Sequence, residues 1–119
     1  SIDAEGHDPL VIEGMDLEDP ANRRRFPLFQ YELGGTWAER DIRRPFAWDQ
    51  EQTARFLEGV GYRLYLIGAK TYLPVTADFF RPDEAAYQDS GDGPFVQGNV
   101  MALHPDHVPE AVWRALGLA

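Results

Sequence analysis

The sequence predicts an α/β fold, with helices packed on a mostly parallel sheet. Three observations lead there. Strand-like apolar runs alternate with helix-like runs from one end of the chain to the other. The strand-like runs are bounded by Gly and Pro. The helix-like runs open on Asp or Pro signals and carry their apolar residues on one side. Composition agrees with one packed unit: 119 residues, 44% hydrophobic, with three Trp, five Tyr and seven Phe. A disordered chain of this length carries far fewer large apolar side chains.

The first residues, 1–4, read as the end of a buried strand. Asp8-Pro9 then starts a helix, because Asp can accept from free backbone N–H groups and Pro at the first helical position forfeits no hydrogen bond. Leu10, Val11 and Met15 give this helix an apolar side, and Gly14 weakens its end. "DLEDPANRRR" reads as a polar loop. "FPLFQYEL", between Pro27 and Gly34-Gly35, reads as a strand. The connection "GGTWAERDIRRPFAW" is irregular, and Trp37, Phe46 and Trp48 predict that it packs down.

Asp49, with Gln52 three positions on, has the capping-box pattern. Ala54, Phe56, Leu57 and Val60 then predict a helix that Gly59 and Gly61 stop. "YRLYLIG" is a strand, and "TYLPVT" a shorter extended piece held to an edge or end by Pro74. Residues 77–97 read as a long loop, "NVMALH" as a buried strand, and "VPEAVWRALG" as a closing helix with Val112, Trp113 and Leu116 on one side.

Charge excludes some functions. With 11 basic and 20 acidic residues the chain carries −9, which opposes phosphate-backbone binding, so no nucleic-acid partner is expected. Arg23-Arg24-Arg25 is a local exception: a solvated turn in the ordinary reading, a phosphate or anion contact in the other. The absence of Cys removes disulfides and thiolate metal sites and fits a reducing compartment. No apolar run approaches the roughly 18 residues of a membrane span, so no membrane partner and a cytoplasmic location are expected.

In an open α/β sheet, ligands bind beyond the carboxyl ends of the strands. Asp3, Glu5 and His7 fall at such an end, directly before a helix start, and Glu32 would share that edge if the two strands run in parallel. Simple capping is the competing reading of acids in such places. "HPDH" brings His104, Asp106 and His107 together as a possible metal set, although Pro105 denies them a common helical face and helix-start chemistry before Pro109 explains the segment as well. No Gly-rich nucleotide fingerprint and no nucleophile elbow is present.

"IDAEGHDPLVIEGM" resembles the Asp-x-Glu-Gly-(His or Glu) segment of the FkbM-like family of S-adenosylmethionine-dependent methyltransferases. "PLFQYEL", "GYRLYLIG", "LPVT" and "NVMALHPD" look like the later elements of that family in the same order, so the likeness covers nearly the whole chain. The resemblance implies the C-terminal half of a Rossmann-like methyltransferase sheet, strands four to seven, mostly parallel with one antiparallel strand. "NVMALH" would be that strand, inserted between the fifth and sixth. Residues 1–119 would then form a single partial domain, with the cofactor-binding N-terminal half absent.

The implied parent enzyme methylates a hydroxyl of a small molecule or sugar using S-adenosylmethionine, and this chain alone is expected to be inactive. His7 suits a general base, Asp3 and Glu5 its orientation or the substrate, and Glu32 and Trp37 substrate binding. No cofactor-binding residue is assigned, and a divalent cation ranks below these roles. The expected macromolecular partner is the missing N-terminal half, or a second copy joined through an open strand edge. Two other functions remain open: a non-catalytic binding or assembly module, and a metal-dependent hydrolase built on His7, His104, Asp106 and His107.

Overall fold

The structure, a computed structural model, describes residues 1–2, 8–33, 50–68, 70–80 and 98–118. Its elements are α1 (Asp8–Gly14), α2 (Pro20–Arg25), β1 (Leu28–Leu33), α3 (Gln50–Gly59), β2 (Arg63–Ile67), β3 (Tyr72–Val75), a 3-10 turn (Ala77–Phe80), β4 (Gly98–Leu103) and α4 (Glu110–Ala115). The capping-box residue Asp49 and the aromatics Trp37, Phe46 and Trp48 lie outside the described residues.

Val100, Met101, Ala102 and Leu103 are consecutive and apolar, and a run of this kind belongs where both sheet faces are covered. β4 occupies that place in a four-stranded sheet of order β1-β4-β2-β3. It pairs antiparallel with β1 from Leu28↔Leu103 to Leu33↔Gly98, and antiparallel with β2 from Arg63↔Leu103 to Leu66↔Val100. β3 pairs antiparallel with β2 across a short hairpin, its Pro74 on the edge strand as the missing N–H requires.

This corrects the expected fold class. A mostly parallel Rossmann-like half-sheet is not what forms: every strand pair of the four-stranded sheet is antiparallel. The physical reason lies in neighbour choice. The α3 crossover does leave β1 and β2 pointing the same way, since both oppose β4, but β4 returns from far along the chain and takes the position between them. Alternating strands and helices constrain strand direction; they leave open which strands share hydrogen bonds. One isolated parallel bridge exists, between Ile2 and Tyr31 on the outer side of β1.

The period-two alternation of strand side chains sorts the apolar residues into two cores. On one face Phe29, Tyr31, Leu64, Val100 and Ala102 meet Ile12 from α1, Leu17 from the turn after it, Ala54 and Leu57 from α3, and Phe80. On the other, Tyr65, Met101, Leu103 and Val108 are covered by Val112, Trp113 and Leu116. Trp113 also lies under the Arg63 guanidinium, 5.5 Å from the ring centroid, which ties α4 to β2.

"DLEDPANRRR" is not a loop throughout. Asp19 accepts from the Ala21 N–H at 2.9 Å and Pro20 occupies the first turn, so α2 forms from the same Asp-Pro signal that predicts α1. The reversal after α1 falls at Asp16, whose φ of 50° is one that a short polar residue tolerates, rather than at Gly14. Arg23 Nη1 closes this turn by donating to the Leu17 and Glu18 carbonyls at 2.8 and 2.9 Å.

Between α3 and β2 the chain turns at Gly61 with φ of 103°. A Cβ built there would lie 2.6 Å from His104 Nε2. Both conformation and space demand glycine. Gly61→Ala is expected to lose at least about 2 kcal/mol of stability, read as a lower urea midpoint with unchanged slope; an unshifted midpoint would mean that this turn is not under constraint.

Candidate functional site

The carboxyl end of β1 is bound on its outer side by two short stretches of chain. Ile2 N–H donates to the Gln30 carbonyl at 2.8 Å. Six residues later, Asp8 Oδ2 accepts from the Glu32 N–H at 2.9 Å. Ile2 thus forms an isolated parallel bridge with Tyr31, and the Asp8 carboxylate engages the next backbone N–H along β1. The residues flanking the 3–7 segment are therefore both attached to β1 within three consecutive positions, 30–32.

Asp8 opens α1 and is fully buried. A buried carboxylate is tolerated only with good hydrogen-bond donors and favourable dipoles, and the Glu32 N–H and the start of α1 provide both. Its charge reaches the core: burial first, then the Asp8 and Glu58 carboxylates, push the Tyr31 phenol far above its ordinary range. Tyr31 is a permanently protonated phenol at any physiological pH. Glu58 in turn accepts from the Ala77 N–H at 2.7 Å, fastening the 3-10 turn to α3.

Of the residues predicted to form the site, Asp3, Glu5, His7 and Trp37 lie outside the described residues. Glu32 is described: it is half-buried, at the carboxyl end of β1, with its backbone held by Asp8. Asp8 is the residue that sequence reasoning undervalued. Its place before Pro9 marks a helix start, but nothing local shows that its carboxylate serves a strand 24 positions away.

His104 and His107 belong to the other end of the sheet. His104 is buried, and its backbone N–H donates to the Pro27 carbonyl at 2.8 Å. Its Nε2 lies 3.1 Å from the Val60 carbonyl and must be the protonated nitrogen, because a carbonyl only accepts. Nδ1 accepts the Asp106 N–H at 3.3 Å. Both ring nitrogens are thus engaged within the chain. Among the described residues no group of three or more His, Asp or Glu could hold a metal ion, and His7, the fourth residue of that reading, lies outside them. Nor is any described helix long and apolar enough to cross a membrane.

Burial lowers the His104 pKa, outweighing the Val60 hydrogen bond that raises it. Tyr62 packs edge-on against the same ring at 5.0 Å, and its phenol, pushed up to about 12 by burial, donates to the Phe26 carbonyl at 2.7 Å.

Comparison with known proteins finds no matching family model, no matching curated protein and no matching solved structure.

Two outcomes test these anchors. Asp8→Ala removes the acceptor of a part-buried N–H and should lower stability by about 1 kcal/mol or more in urea titration; a change below about 0.5 kcal/mol would show the contact to be idle. For His104, a folded pKa below the unfolded value of ~6.5 means that the unfolded chain binds the proton more readily. The stabilisation is therefore complete above ~6.5 and is lost as pH falls through the lowered value. The gap in urea midpoint between the native chain and His104→Gln should be wide at pH 8 and narrow towards pH 5. A gap that widens on acidification would reverse the assignment.

Proposed function

We propose that the chain is the C-terminal portion of an S-adenosylmethionine-dependent methyltransferase that acts on a hydroxyl of a small molecule or sugar, in the manner of the FkbM-like family it resembles. One observation supports this reading above the rest. The residues on either side of the acidic and histidine segment, Ile2 and Asp8, are both hydrogen-bonded to β1 beside Glu32. Both anchors fall in the carboxyl half of that strand. The antiparallel position of β4 between β1 and β2, the order carried by the family's "NVMALH"-like strand, adds to it.

On this reading His7 takes the proton of the acceptor hydroxyl, Asp3 and Glu5 orient His7 or the substrate, and Glu32 and Trp37 contribute to substrate binding. Asp8 is a positioning residue that fixes the carboxyl side of the segment against β1. S-adenosylmethionine supplies the electrophilic methyl group. Alignment of the attacking oxygen provides much of the acceleration in such transfers, so rigid anchors at both ends of the segment have a direct use. The cofactor is held by an N-terminal half that meets this chain on the outer side of Ile2, and the protein works in the cytoplasm.

Calorimetry decides it. S-adenosylmethionine should bind a chain extended at its N-terminus and fail to bind residues 1–119 alone. In the extended chain His7→Gln should keep cofactor affinity and lower kcat by roughly 10²-fold or more. An extended chain that ignores the cofactor ends the methyltransferase reading; unchanged kcat in His7→Gln ends the assignment of the base.

A further inference from the structure

Two sequence features that methyl transfer does not use, the Arg triplet and "HPDH", lie about 80 positions apart and line one open cleft of about 480 Å³. Its walls include Arg23 and Arg24 from α2, the Gly61 turn, and His104, Asp106 and His107 after β4. The cleft sits where β1 and β2 begin, at the opposite end of the sheet from Asp8 and Glu32. A reading of this cleft is therefore independent of the methyl-transfer proposal.

Its side chains are arranged for an anion. Arg23 is held in one orientation, Nη1 being bound to the Leu17 and Glu18 carbonyls. Among the described residues no acceptor engages the rest of its guanidinium or any of Arg24, which is exposed. A guanidinium already fixed in place surrenders less entropy on meeting an oxyanion, and its planar fork matches phosphate. The His107 ring stacks beside His104, with centroids 4.5 Å apart, and is itself half-buried. On a chain of net charge −9, two guanidiniums at one concavity form a local reversal of sign.

Two features oppose an anion. Asp106 is a carboxylate on the rim, and α2 and α3 both end here, where helix dipoles favour cations. The dipole term is blunted because several carbonyls near these ends are occupied. Asn22 accepts from Phe26, Phe56 from Val60, Leu57 from Tyr62, Glu58 from Gly61, and Val60 from the His104 ring. Asp106 remains, and an exposed carboxylate beside a phosphate site is an acceptor for hydroxyl groups. The volume suits a small molecule.

We propose that this cleft binds a small hydroxylated phosphomonoester, its phosphate between Arg23 and Arg24 and its hydroxyls at Asp106 and His107. The test is an amide NMR titration of the whole chain at pH 7 and constant ionic strength, with glycerol 3-phosphate, inorganic phosphate and glycerol. Glycerol 3-phosphate should give saturable shifts concentrated at Gly61, Asp106 and His107, inorganic phosphate should bind several-fold more weakly, and glycerol should give none. Arg24→Gln, an exposed change that leaves the Arg23 anchors intact, should raise the dissociation constant about tenfold. Arg25→Gln, one position further and outside the cleft lining, should stay within about twofold.

Equal losses from Arg24→Gln and Arg25→Gln would overturn the proposal, since diffuse charge attraction would then account for the binding. So would non-saturating shifts or shifts scattered away from the cleft. Equal affinity for inorganic phosphate would remove the assigned roles of Asp106 and His107.

Discussion

The fold depends on one strand being paired on both sides. β4 is hydrogen-bonded to β1 along one edge and β2 along the other, and its buried side chains alternate between the two cores. Neither β1 nor β2 has the other as a neighbour, so without β4 the first strand would be cut off from the β2–β3 hairpin. The insertion also sets polarity. β1 and β2 both run opposite to β4, so their carboxyl ends emerge at one edge of the sheet and that of β4 at the other.

At the edge where β4 ends, two cross-ties hold the beginnings of β1 and β2 together. His104 donates its backbone N–H to Pro27, before β1, and its ring N–H to Val60, before β2. Tyr62, at the start of β2, donates its hydroxyl to Phe26. Each tie satisfies a polar group where water is scarce, which is why a buried histidine is stable here as the neutral imidazole. Gly61 completes the arrangement by yielding the space that the ring fills.

Much of this was legible one element at a time, and little of it in pairs. Pro27 and the glycines after Leu33 bracket β1, Gly59 ends α3, and Pro109 precedes α4, all through local chemistry that a sequence displays. Strand neighbours are set by side chains far apart in the chain. Val100 could be read as buried, but its partnership with both Tyr31 and Leu66 could not. α2 is hidden for a different reason: its six residues, four of them polar, show no apolar periodicity, and the Asp19-Pro20 cap carries the whole signal. At the candidate site the same division holds. The acidic and histidine residues announce themselves by type, and Glu32 by its place at a strand end. The contact from Asp8 to the Glu32 backbone appears only once the chain has folded back on β1. In "HPDH" the His104 nitrogens are turned toward Val60 and Asp106, an orientation that spacing cannot reveal.

The two apolar cores decide where chemistry can be placed. One face of the sheet is filled from α1 and α3 and the other from α4, so the middle of each face is committed to packing. Groups that must meet solvent or ligand are left with the strand ends, and the two ends carry different groups. Asp8 and Glu32 mark the end where β1 finishes. Arg23, Arg24 and His107 mark the end where β1 starts, and their donors suit anions. About six residues of strand, close to 20 Å, separate the two ends. That exceeds the screening length of roughly 8 Å at physiological salt, so the acidic end does not quench the basic one and each can keep its own ligand preference.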